Sequence, residues 1–464
     1  MEYSSVVFIF YFLPIFLAGY YLLPKTWTKN LLLFVFSLVF YFWGGGKFVI
    51  LLLSIGFFSW FFSLLIAKTQ FKRGFLIVTV LVFVGILVYN KYLGFIIDNL
   101  VYLGARGFPK LELLTTLGVS FFTFQAISYT IDVYRKNNRF ERNPLYVMLY
   151  ITMFPQLISG PLTRYWQMEQ QLKYRRFDFQ RFSEGIRRFV IGLGKKVLIA
   201  NSLSYLVNQI VGMEPCLISP LVAWVGMIAF AVQIFFDFSG YTDMAIGVGK
   251  MLGFDLPENF NYPYISKSIT EFWRRWHISF SSWIRDYIFT PLATNLRYWG
   301  HAGIFISLMV TFLVCGLWHG PTWNYLLWGL VQGLFLGLEQ LFLLKFLKRL
   351  KGFAVVYTLV IIVSCSVLFR TENLHQAINY YAAMFAPSAS SVLGLDSFFM
   401  NEHIVVLLLG ILFCIPISLP ARFKTGTMGH VVQIVDKVFL LIVLLFSVMN
   451  LVAETYSPFI YFKF

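Results

Sequence analysis

Charge is what this sequence is short of. Asp, Glu, Lys and Arg make up 12% of its 464 residues, about half the share of a soluble domain. A soluble chain of this length could not cover its surface with so few charges. The apolar excess also excludes disordered, fibrous and nucleic-acid-binding classes. Runs of alternating polarity are missing too, which argues against a closed barrel of about ten-residue strands. Cysteines number only four (Cys216, Cys315, Cys365, Cys414) and are scattered, so neither metal-ligand spacing nor a disulfide framework is visible. The N-terminus lacks a basic leader and a small-residue cleavage site, so its first apolar run reads as a retained helix.

What is there is long apolar sequence: 59% hydrophobic residues, 20% aromatic residues and a mean hydropathy of +0.73. The fold class expected is an all-α polytopic membrane protein with about 11–12 transmembrane helices. The ~20-residue criterion places candidate spans at 5–23, 30–44, 48–67, 75–98, 112–133, 186–212, 218–240, 301–318, 324–344, 353–369, 403–419 and 431–452. No soluble domain, long linker or clear repeat interrupts them, so residues 1–464 read as one membrane domain.

The net charge of +16 fits a positive-inside bias and contact with anionic headgroups of membrane lipids, or else a basic patch for an anionic cosubstrate, not nucleic acid. Lys25 and Lys29 fall inside, then Lys68, Lys72 and Arg73, then Arg135, Lys136, Arg139 and Arg142. Lys345, Lys348, Arg349, Lys351, Arg422 and Lys424 also fall inside, and the loop 370–402 falls outside. Residues 144–163 look like a further span, yet the very basic Arg164–Arg188 stretch beyond it would then lie outside. Pro155 and Pro161 interrupt the segment. A re-entrant half-crossing repairs the alternation, and such broken backbone is tolerated only where it lines a protein-buried cavity.

Residues 233–290 form a polar island. Asp237 and Asp243 lie at its start, where an ionisable group is functional or paired. Residues 268–287 read as one amphipathic helix within an interfacial, cytoplasmic-side segment of about 264–290. Ser268 is its N-cap, Glu271 completes a capping box, and Glu271 and Arg275 have i,i+4 ion-pair spacing. Trp273, Trp276, Phe280, Trp283 and Tyr287 share one face; Arg274, His277, Ser281 and Arg285 share the other. Either this is an interfacial anchor, or it is a lid presenting His277 and arginines to an anionic substrate. Further on, His319 stands between two apolar runs at a Gly320-Pro321 break. An intramembrane histidine points to function, and neutral imidazole suits general-base work on a hydroxyl. A Cys315–His319 metal pair lacks further ligands. His301, His375, His403 and His430 receive no role.

Several stretches resemble the membrane-bound O-acyltransferase family. They are S-S-V-V-F-I-F-Y-F-L-P (4–14), L-G-V-S-F-F-T-F-Q-A-I-S-Y-T-I-D-V-Y-R (117–135), F-P-Q-L-I-S-G-P (154–161), F-D-F-S-G-Y-T-D-M-A-I-G (236–247), E-N-F-N-Y-P-Y (258–264), S-I-T-E-F-W-R-R-W-H-I-S-F-S-S-W-I-R-D-Y (268–287), G-L-W-H-G-P-T-W (316–323) and Y-S-P-F-I-Y-F-K-F (456–464). The likeness is to the bacterial branch that O-acetylates alginate, with relatives in peptidoglycan O-acetylation and teichoic-acid D-alanylation. It implies a ring of tilted helices around a central tunnel in the bacterial cytoplasmic membrane. It implies that His319 is catalytic and His277 a second functional residue. It also implies a cytoplasmic acyl donor, with acetyl-coenzyme A expected as cosubstrate and no bound cofactor or metal, an outer-face partner protein, and a polysaccharide acceptor. One departure stands out: T-P-L-A-T-N-L-R (290–297) replaces the Gly-Gly-Asn-Arg stretch of the alginate branch after R-D-Y, which puts alginate itself in doubt, though not acyl transfer.

The chemistry of such a transfer needs a base and an oxyanion donor. His319 is the expected base, with His277 or Asn324 as donor. Lys267, Arg274, Arg275 and Arg285 are expected to meet the donor's phosphates. A transporter of an acyl or lipid-linked sugar group, D-alanyl transfer to teichoic acid, or a structural scaffold are the competing readings.

Overall fold

In the computed structural model the described residues are 1–107, 117–136, 140–386, 401–417 and 426–453. The expected inside residues Arg139, Arg422 and Lys424, residues 387–400 of the expected outer loop 370–402, and the 456–464 motif lie outside them. Among the described residues the secondary structure is helical, without a β-strand. Seven helical stretches are long and apolar enough to cross a membrane, so the chain is an all-α, multi-pass membrane protein. These seven contain nine of the twelve expected spans, because two stretches each hold two. Thr26–Lys68 runs 43 residues and Trp323–Arg370 runs 48. A straight 43-residue helix would measure roughly 65 Å, about twice the hydrocarbon core. Each stretch is broken at a residue of positive φ, Gly46 (+51°) and Lys351 (+48°) respectively. The expected spans at 5–23, 112–133 and 403–419 appear as shorter helices, Phe8–Leu22, Val119–Tyr134 and Glu402–Phe413.

Contacts divide the chain into two compact units. The first comprises Met1–Phe189 and Thr242–Pro257. Within it, residues 144–163 form a nine-residue helix, Pro144–Thr152, and a four-residue helix, Phe154–Leu157. Nine residues rise about 14 Å, too little to cross. Polar groups of this broken segment are met internally: Tyr150 donates its hydroxyl to the Thr163 carbonyl (2.7 Å), and the Thr163 hydroxyl donates to Gln156 Oε1 (2.6 Å). Phe154 anchors the segment among Phe8, Phe12, Phe16 and Phe40. Asp243 belongs to this unit and accepts from Arg188 at 2.6 and 3.0 Å.

The second unit comprises Val190–Tyr241 and Glu258–Phe464. Its centre is a tight pair of helices, Gly300–His319 and Trp323–Leu338. In lipid, helices associate by close packing of small residues, and here glycines supply them. A Cβ on Gly329 would stand 2.3 Å from the Phe312 carbonyl oxygen, and one on Gly316 would stand 2.3 Å from that of Tyr325. Asp237 also lies in this unit, in a fully buried ion pair with Lys196 at 2.5 Å.

The close approach predicts that Gly329→Ala forces the pair apart. Overpacking of this kind costs roughly 1–3 kcal/mol, so the thermal unfolding temperature in detergent should fall clearly below that of the wild type. An unchanged midpoint would refute the tight pairing.

Candidate active site

The helix Gly300–His319 ends on its histidine because Gly320 and Pro321 cannot continue it. A Cβ on Gly320 would meet the Tyr325 ring at 2.5 Å, so only glycine lets the turn fold this closely. Thr322 then starts the next helix by accepting from the Tyr325 N–H. His319 is buried in a wall of rings: Trp318, Phe369 and Trp328 have centroids 4.6, 4.7 and 4.9 Å away. It lines a cavity of about 60 Å³ with Trp273, Trp276, Trp328, Gln332, Cys365 and Phe369. That is room for a few waters in largely apolar surroundings.

The island's helix departs from expectation. Residues 268–287 are not one helix. Ser268 does cap the first turn, accepting from the Glu271 N–H at 2.9 Å. Glu271, however, reaches back to the Lys267 N–H (2.9 Å) in place of Ser268's. The helix Ile269–Arg275 stops there, and Ile278–Ile284 begins anew. Between them His277 adopts the left-handed conformation, φ 44° and ψ 52°. The physical reason is a clamp from upstream. Asn259 Oδ1 accepts from His277 Nδ1 (3.1 Å), Ser279 N–H (3.1 Å) and Ser279 Oγ (2.8 Å). The Asn259 carbonyl takes the Ile278 N–H at 2.9 Å. The break turns the His277 ring inward, so it does not share an outward polar face with the arginines. It is 1% exposed and packs on Phe238 (4.6 Å) and Phe280 (4.9 Å).

Residues 269–284 lie outside the seven long apolar stretches. Burial pushes the His277 imidazole down to about 3, so it is neutral at physiological pH and carries no charge for an anion. Because the Ser279 N–H can only donate, the Asn259 atom it meets is oxygen. His277 Nδ1 therefore carries its proton, and Nε2 is the acceptor nitrogen.

A second, open cavity of about 490 Å³ is lined by Arg274, Arg285, Ser281, Phe280, Cys315 and Trp273. A third, of about 820 Å³, shares Thr270, Arg274, Phe289, Leu308 and Leu336 with it and adds Arg297 and His301. Trp273 lines both the second cavity and the His319 cavity, so one indole is a wall common to the two.

A family model for the membrane-bound O-acyltransferase family matches residues 138–349. The probable alginate O-acetylase of Pseudomonas putida is 36% identical over 502 residues, with full coverage of both chains. The chain belongs to the membrane-bound O-acyltransferase family. The probable alginate O-acetylase of Pseudomonas aeruginosa is 40% identical over 397 residues, covering 83% of this chain and 75% of that one. The peptidoglycan O-acetyltransferase of Helicobacter pylori is 32% identical over 443 residues, covering 86% and 83%. The protein is an O-acyltransferase.

Seen as an O-acyltransferase site, the cations expected from the sequence divide. Arg274 and Arg285 line the open cavity. Arg275 is held by Glu271 at 2.9 Å and the Asn261 carbonyl at 3.1 Å, and the Lys267 side chain is exposed. Asp237 and Asp243 are each paired with a cation. Asn324 donates its amide to the Thr371 carbonyl (2.9 Å) and hydroxyl (3.1 Å). Asn259, Gln332 and Glu339, which the sequence did not single out, also make contacts around the site, and His301, given no role from sequence, lines the third cavity. Gln332 had a signal, since Asn324, Trp328 and Gln332 recur every fourth residue on one helix face.

A buried neutral histidine makes stability pH-dependent. Its folded value lies below the ordinary 6.5, so the stabilisation is complete above that value and declines as acid protonates the unfolded chain. Between pH 6.5 and 5 the loss amounts to about 2 kcal/mol. The unfolding midpoint of the wild type should therefore drop more between pH 7.5 and 5 than that of His277→Gln. Equal drops would show that His277 is not held neutral.

Proposed function

We propose that this O-acyltransferase takes an acetyl group from acetyl-coenzyme A at the cytoplasmic face of the bacterial inner membrane. It passes the group through the membrane for O-acetylation of an extracytoplasmic polysaccharide, an alginate-like exopolysaccharide or peptidoglycan, by way of an outer-face partner protein. One observation carries the reading: an arginine-lined cavity and a small aromatic cavity holding His319 share Trp273 as a wall. The names of two relatives, probable alginate O-acetylase and peptidoglycan O-acetyltransferase, support acetyl as the group carried.

In this scheme Arg274 and Arg285 hold the nucleotide phosphates through charge-assisted hydrogen bonds. His319 takes the proton of the acceptor hydroxyl. The oxygen adds to the thioester carbonyl, the C–S bond breaks, and the departing thiolate receives the proton from the imidazolium. The carbonyl end of the Gly300–His319 helix faces the positive charge that forms meanwhile. The aromatic wall keeps bulk water from hydrolysing the thioester. His277, neutral and clamped by Asn259, offers an acceptor nitrogen, not a charge.

Release of free coenzyme A from acetyl-coenzyme A by purified protein with its acceptor tests this. His319→Ala should abolish release while the protein stays folded. Arg274→Gln should raise the KM for acetyl-coenzyme A by about tenfold, the ratio for one lost interaction of about 1.4 kcal/mol, and leave that for acetyl-pantetheine unchanged. Normal turnover by folded His319→Ala would refute the base assignment, and equal effects of Arg274→Gln on both donors would refute the phosphate contact.

A further inference from the structure

The acyl-transfer scheme needs a donor for the carbonyl oxygen as it gains charge, and the two donors expected from the sequence are committed elsewhere. His277 gives its Nδ1 proton to Asn259. Asn324 gives its amide protons to Thr371. We propose that the Gln332 carboxamide is the oxyanion donor, its Nε2–H hydrogen-bonded to the carbonyl oxygen of the acyl thioester in the His319 cavity. The proposal rests on the reading of His319 as the site of transfer from a thioester.

Four observations converge on Gln332. It is wholly buried and lines the same cavity as His319. It stands one helical turn from Trp328, whose ring packs edge-on against His319. Its orientation is fixed: Oε1 accepts from the indole N–H of Trp273 at 3.0 Å. An indole N–H can only donate, so the carboxamide cannot be flipped, and its NH₂ must point away from Trp273. Finally, Nε2 has no oxygen or nitrogen acceptor; what it meets is the thiol of Cys365, a weak acceptor. A buried amide left without an oxygen partner loses its hydration with nothing in return. Of the other residues lining the cavity, Ile362, Phe369 and Trp328 offer no oxygen on their side chains, and Ser366 and Tyr264 turn their hydroxyls to the Ile362 and Ala231 carbonyls. An acyl carbonyl entering the cavity does.

The step then balances on this chain's groups. The hydroxyl oxygen adds to the carbonyl carbon while its proton goes to His319. The carbonyl π electrons move to the oxygen facing Gln332 Nε2. Their return breaks the C–S bond, and the thiolate takes the proton from His319. A donor already aimed at that oxygen is worth most in a site with little water.

Steady-state acetyl-coenzyme A consumption by the full-length protein with acceptor distinguishes donor from tether. Gln332→Met keeps the length of the side chain and removes both polar atoms. Its kcat should fall about 100- to 1,000-fold, the range for one oxyanion donor, with KM within about threefold of wild type. Gln332→Glu keeps an acceptor for the Trp273 N–H and loses the N–H donor. Its kcat should fall comparably at pH 8 and recover in part as acid converts the carboxylate to an O–H donor. Wild-type kcat in a folded Gln332→Met protein overturns the proposal, as does a loss confined to KM. Full activity of Gln332→Glu at pH 8 overturns it too, because the tether to Trp273 would then suffice. If Gln332→Met fails to fold, Gln332→Glu decides alone. A wild type inert towards acetyl and other acyl thioesters, with His319 intact, would overturn the thioester reading itself and the role of Gln332 with it.

Discussion

A single buried carboxylate holds the site in register. Glu339 is 1% exposed and accepts from the backbone N–H groups of Ile269 (2.7 Å) and Thr270 (2.8 Å), the Thr270 hydroxyl (2.7 Å) and the Tyr357 hydroxyl (3.2 Å). An isolated anion in such surroundings would be prohibitively desolvated. Here it is met by the exposed N–H groups that open the helix Ile269–Arg275, at the end where the backbone dipoles favour negative charge. The interaction works in both directions. The carboxylate is satisfied only if that short helix starts where it does, and the helix start is satisfied only if Glu339 stays. Trp273, which divides the cavities, sits one turn further on.

Glu339 is the last member of a series. Asn324, Trp328, Gln332 and Glu339 are spaced by four, four and seven residues, so all fall on one side of a helix of 3.6 residues per turn. Each reaches a different segment. Asn324 fixes the chain at Thr371, Trp328 packs on His319, Gln332 fixes Trp273, and Glu339 fixes residues 269 and 270. The opposite requirement, close approach to the helix that carries His319, is met by Gly329 and Gly333 between them. One helix thus has a small-residue face that brings His319 near and a polar–aromatic face that positions what surrounds it. Neither face tolerates rotation of the other.

Much of this was legible in the sequence, for definite reasons. Uninterrupted apolar runs can satisfy their backbone in a membrane only as helices, so the fold class followed from composition. Gly320-Pro321 must end a helix, which put His319 at a helix terminus. The Ser268 cap and the Glu271–Arg275 pair are local patterns and appear as read. What failed was what depends on distant residues. Amphipathic periodicity carried the helix from 268 to 287 without a break, because the clamp that bends it at His277 comes from Asn259, eighteen residues earlier. A non-glycine residue at positive φ is strained, and no local rule places one in mid-pattern. Gln332 and Glu339 passed unnoticed as isolated polar residues in an apolar run, although the four-residue spacing from Asn324 was on view. Asp237 drew attention as an acid at membrane depth, and the buried Lys196 that neutralises it lay 41 positions before it.

In the proposed scheme, the wall at Trp273 stands between two chemistries with different needs. Phosphates need cations with water nearby, since burying several charges together is costly even when they are paired. The open cavity with Arg274 and Arg285 suits that. Thioester attack needs the reverse, a site where a hydroxyl can be deprotonated and water kept out. The small cavity around His319, walled by Trp318, Trp328 and Phe369, suits that. An indole can separate them because it is apolar on its faces and polar at one edge. Its rings pack against Phe312 and Trp328, while its N–H is satisfied by Gln332 on the His319 side. The same hydrogen bond that holds the wall therefore sets the direction of the Gln332 amide, so the position of the wall and the polarity of the His319 cavity are fixed by one contact.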